Sequence, residues 1–168
     1  MPIVANDILL MLSGGAGNTN PNASLGGVAS STALVSASLH NLFDKVPSAE
    51  AAAGSVEYRC IYVRNEHETL TLEDAKVFIP SNTDSADTDL AIGLGTSAID
   101  GTEQTVANET TAPTGVTFSA PANYAAGLSI GNLGPNSTKA VWVRRTVNAG
   151  AAAANDSATL RVQGDTAP

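Results

Sequence analysis

The chain reads as an all-β protein, an immunoglobulin-like or jelly-roll-type antiparallel sandwich with a long N-terminal arm or loop. Three observations lead there. Short runs rich in β-branched and aromatic residues alternate with period two, most clearly in Ser55 to Ser81 and Lys139 to Val147. Gly, Pro, Asn and Asp clusters punctuate those runs at short intervals, and no convincing helical periodicity interrupts them. At 168 residues the chain suits one domain with a sizeable core and is too short for two. We divide it at residue 30: residues 1–30 form an N-terminal strand and a Gly/Asn-rich arm, and residues 31–168 a single sandwich.

Taken in order, Ile3 to Leu12 reads as a strand or extended arm. Residues 13–27, SGGAGNTNPNASLGG, can bury little and read as a long loop. Their glycines carry neither a Gly-Lys-Ser/Thr sequence nor a G-x-G-x-x-G in register, so no phosphate cradle is expected. Ser30 to Leu39 is weakly strand-like, and Asn41 to Asp44 reads as a turn with Leu42 and Phe43 tucked inward. A short helical turn follows at Pro47 to Gly54, with Ser48 as cap and Gly54 as terminator. Val56 to Val63 and Leu70 to Ile79 then read as adjacent antiparallel strands, joined through Asn65-Glu66-His67-Glu68. Neither face of the first is purely polar, which suits a strand buried on both sides. Leu90 to Gly95 and Val116 to Phe118 are further strands, and Tyr124 to Ile130 a turn and strand. In Lys139 to Val147, Val141, Val143 and Val147 share one face and Trp142, Arg144 and Thr146 the other. Ala158 to Val162 closes the fold, with Ala158, Leu160 and Val162 inward.

Composition narrows the function classes. Aromatics make up 4% of the chain against 43% hydrophobic residues, so the core is built from small side chains. A net charge of −8 with scattered basic residues argues against nucleic-acid binding. Ile8 to Leu12 is too short to span a membrane and lacks a basic leader, which suggests a product assembled in the cytoplasm. Cys60 is alone, so no internal disulfide is possible, and it reads as a small buried hydrophobe.

No residue constellation spells out a reaction. His40 and His67 have no ligand-spaced partners, and the expected metal and cofactor sets are empty. Asp84, Asp87 and Asp89 cluster without calcium-loop spacing, and no serine sits in a Gly-x-Ser-x-Gly elbow. With sixteen acids a glycosidase pair is not excluded, yet nothing singles one out. Trp142, Tyr58, Tyr62 and Tyr124 could line a sugar-binding face, although Trp142 reads better as core or as a contact anchor. The sequons at Asn22, Asn108, Asn136 and Asn155 mean little without a secretory leader.

Several phrases together resemble structural proteins of tailed-bacteriophage virions. They are Leu12 to Gly15, Ala23 to Gly27, Asn41 to Asp44, Glu57 to Asn65, Thr71 to Val77 and Ala140 to Val147. The resemblance covers most of the chain and is one of phrasing, with no catalytic motif. It implies a non-enzymatic β-sandwich that binds and stabilises an assembled capsid, a cement or decoration protein on the capsid surface of a virion. The implied partners are the major capsid protein or another virion protein, and copies of the chain itself, with a trimer favoured. The alternative is a tail or baseplate component, one that could touch the host. Leu12, Leu25, Trp142 and Arg144 are the candidate partner contacts.

Overall fold

The computed structural model describes residues 2–152 and 155–166, and these form two packed antiparallel sheets. The elements are β1 (Ile8–Ser13), β2 (Ala29–Ala33), α1 (Ser48–Ala53), β3 (Ser55–Asn65), β4 (Leu72–Ser81), β5 (Thr88–Leu94), β6 (Leu128–Leu133), β7 (Thr138–Val147) and β8 (Thr159–Thr166). One sheet has five strands in the order β2-β1-β3-β7-β5, the other three in the order β6-β4-β8. No helix among the described residues is long and apolar enough to cross a membrane. The all-β sandwich expected from the alternation is therefore present.

β3 and β4 are not neighbours, contrary to the expected hairpin. β3 is flanked by β1 and by β7, which it meets from Ser55↔Val147 to Arg64↔Thr138, while β4 lies in the other sheet between β6 and β8. The reason is the number of apolar faces to be covered. Ile61 and Val63 of β3 must bury against something, and Val77 and Ile79 of β4 supply it face to face, across the sandwich. Asn65 anchors the crossing by donating from Nδ2 to the carbonyls of Leu70 and Leu133, both at 2.9 Å. His67 is part of the same corner, where its Nδ1 accepts from the backbone of Thr69 and Leu70.

In β4 the inward set changes phase, from Leu72 to Ala75, Val77 and Ile79. The ladder shifts register there, and Asp74 has φ +46°. A bulge of this kind lets even- and odd-numbered residues face one core. The short helix is confirmed, with Gly54 at φ +78° closing it, but its N-cap is Pro47 and Ser48 makes no capping bond because it already lies in the first turn.

Two other expectations are corrected. The described residues of the expected 1–30 arm do not stand off: β1 is an internal strand between β2 and β3, and Leu12 is buried in the main core. Val116 to Phe118 is no strand, but extended coil tied to β5 by the reciprocal Ile92–Ser119 backbone bonds of 2.8 and 2.9 Å.

Candidate functional site

The five-stranded sheet is covered on both faces, by different kinds of structure. Towards the three-stranded sheet lie Ile61, Val63, Ile92, Val141 and Val143. The opposite face presents Met11, Cys60, Tyr62, Ala140 and Trp142, and it is roofed by the connections around residues 13–28 and 95–119 through Leu25, Val106, Val116 and Phe118. The Gly/Asn-rich segment is thus a fixed layer of the fold. Asn18 donates to the carbonyl of Ser13 at 2.6 Å, Ser24 accepts from the backbone of Cys60 at 2.8 Å, and Val106 donates to Leu25 at 2.9 Å. Burial among these groups pushes the Cys60 thiol well above its ordinary range, so it is an interior hydrophobe.

Glu103 pins this layer. Its carboxylate is buried and accepts from the backbone of Ser97 (2.8 Å), the backbone and hydroxyl of Thr96 (3.2 and 3.1 Å) and the Trp142 indole (3.3 Å). Burial alone would raise its pKa, but the bonds from Ser97, Trp142 and Thr96 outweigh that and hold it at about 2. Its backbone N–H donates to the Tyr62 hydroxyl at 3.0 Å, and that hydroxyl donates to the Gly27 carbonyl at 2.6 Å. Tyr62 therefore rivets both connections to the sheet.

Gly26 marks the closest approach of the two connections. It has φ +102°, and a Cβ there would lie 1.8 Å from the Gln104 carbonyl oxygen. Gly26→Ala is expected to force the 24–28 turn off residues 103–106, seen as a lowered melting temperature with faster protease nicking in this layer.

The outer surface of the roof is an open, largely apolar concavity of about 550 Å3. Gly14, Gly15, Leu25, Val28, Thr105 and Val106 contribute to its wall, and Val28 is 44% exposed beside it. Small side chains and exposed backbone make it broad and shallow, which suits the surface of another protein better than a small ligand that must be engulfed.

A second polar assembly lies at the end of β3 and β7. Glu57 and Arg145 are register partners and form a buried ion pair, and Arg145 also donates to the Asp44 carbonyl at 2.6 Å. Arg59, fully buried, reaches Glu109 at 2.6 Å and Asn22 at 3.1 Å, and both guanidinium groups lie over the Phe43 ring. The carboxylates of Asp44, Glu57 and Glu109 come within 4.8 Å of one another, a spacing compatible with a cation. Arg59 and Arg145 already supply the positive charge, so the arrangement works as an ionic clasp. Burial raises the Glu57 pKa, and Arg145 opposes the rise.

Of the four expected contact residues, Leu12 and Trp142 are interior, and neither offers surface to a partner in this fold. Arg144 is half-buried with its guanidinium over Phe118, and only Leu25 reaches the concavity. Of the aspartates weighed for calcium, Asp89 accepts from Asn82 and Asp87 from the backbone of Ala152, so they stitch loops together. Glu103 was not singled out, because nothing in its polar surroundings distinguishes a buried carboxylate from a solvated one. Glu57 and Arg59 did carry a signal: opposite charges two apart on one face of an otherwise apolar strand.

Comparison with known family models, curated proteins and solved structures finds no match to this chain.

Proposed function

We propose that the protein is a non-catalytic attachment module of a tailed-bacteriophage virion, a cement or decoration protein whose roofed face seats on the capsid protein. One observation carries the reading: about 550 Å3 of shallow apolar concavity is built on a loop layer already ordered by Glu103, Tyr62 and Gly26. A surface ordered before contact gives up little conformational entropy on docking, so modest contacts suffice when repeated over a shell. The virion context rests on the resemblance of the sequence phrases.

The test is a binding assay of purified protein on empty heads. Val28→Asp and Thr105→Arg change the concavity's surface while sparing the buried network, and each is expected to weaken attachment at least tenfold with an unchanged melting temperature. Full decoration by both variants would move the attachment face elsewhere. Decoration of tails with none on heads would place the protein in the tail.

A further inference from the structure

We propose that β8 is a self-association edge: two copies of this chain pair β8 to β8, antiparallel, about a twofold axis through Gln163. Two three-stranded sheets would thereby join into one of six strands.

The edge is open where the others are dressed. Beside β2, Ser31 donates to Ala16, and β5 is bonded to Ser119. β6 is interrupted by Gly131 at φ +87°. β8 is bonded on one side to β4, and among the described residues no other backbone hydrogen bond reaches it. Its exposed residues are Thr159, Arg161, Gln163 and Asp165, and none of its residues has positive φ. An extended edge of this kind is a template for another strand, and natural proteins commonly block it with charge.

Here the charges are arranged to match a second copy. Among the described residues neither Arg161 nor Asp165 takes part in an ion pair, and Asp165 sits opposite Glu73 of β4, a like-charged neighbour. Antiparallel pairing centred on Gln163 places Arg161 opposite Asp165 of the second copy, and the twofold repeats the contact. It also sets Leu160 against Thr166, and Val162 against Gly164. Directly opposed residues share a sheet face, so Arg161 and Asp165 meet on the exposed side. Centring the pair on Arg161 or on Asp165 instead opposes like charges, and parallel in-register pairing stacks Arg161 on Arg161. The charge pattern thus selects a twofold, where the virion resemblance had implied a trimer.

The experiment uses the purified full chain and needs no particle, so its outcome is separate from that of the attachment reading. Sedimentation across micromolar to millimolar concentration is expected to show a monomer–dimer equilibrium. Arg161→Asp and Asp165→Arg are each expected to weaken the dimer at least tenfold, and the double swap to restore it. Gln163→Cys places two thiols across the axis, within the Cα spacing a disulfide needs. It is expected to form a covalent dimer on mild oxidation, while Thr159→Cys does not, and buried Cys60 cannot compete. A wild-type chain that stays monomeric, with no more cross-linking from Gln163→Cys than from Thr159→Cys, overturns the proposal. So does a dimer indifferent to both charge reversals.

Discussion

Glu103→Ala is expected to lower stability by about 3–5 kcal/mol, because it removes a charged acceptor shared by the buried Trp142 indole and the part-buried turn at Thr96 and Ser97. The Ser97 and Thr96 N–H groups and the Trp142 indole all lose their partner, and alanine leaves the indole facing a void. A domain of this kind has about 5–15 kcal/mol in total, so the loss should appear as a drop of roughly 6–20 °C in melting temperature. Thermal unfolding by circular dichroism measures it, and a change within 2 °C would show that the roof is not pinned at this residue. Acid should act through the same group. Its folded pKa of about 2 lies below the ordinary value of 4.5, so its contribution is complete above about 4.5 and is lost as pH falls towards 2. The wild-type protein should lose stability through that window, and Glu103→Gln should show a shallower decline.

Arg145→Ala attacks the clasp and should cost about 3–5 kcal/mol near neutral pH, since Glu57 keeps its burial and loses its counter-charge. Glu57 acts on pH stability with the opposite sign to Glu103. Its folded pKa is raised, so the uncharged form suits the folded chain. The stability it contributes is present in acid and withdrawn as pH rises through its folded pKa. The variant should therefore regain part of its loss on acidification. Glu57→Gln combined with Arg145→Met, which removes both charges, should unfold much closer to the wild type than Arg145→Ala does. Equal denaturant midpoints for the double and the single variant would show that an unpaired Glu57 charge is not the cause.

Strand positions were legible because period-two alternation is a local property, and β3, β4, β5 and β7 fall where the pattern put them. Pairing was not legible in the same way. The short polar link after Asn65 suits a hairpin as well as a crossing, and only the demand that Ile61 and Val77 bury against each other favours the crossing. The 13–28 connection misled for a related reason. Its Gly and Asn content shows that it cannot fold alone, and gives no information on whether its partner is another molecule or this chain's own Cys60–Trp142 face.

The sequence by itself determined the class of fold, the small-residue core, the inward faces of Val141, Val143 and Leu160, and the interior place of Cys60. These follow from residue type and spacing along a few neighbouring positions. The tertiary structure alone decided that β1 is internal, that Glu103 is a buried anchor, and that Arg59 and Arg145 meet the carboxylates of Asp44, Glu57 and Glu109. It also decided that β8 ends a sheet, with Arg161 and Asp165 in no ion pair among the described residues. Each of these depends on groups far apart in the chain, whose interactions exist only once the sheets have closed and water has been excluded between them.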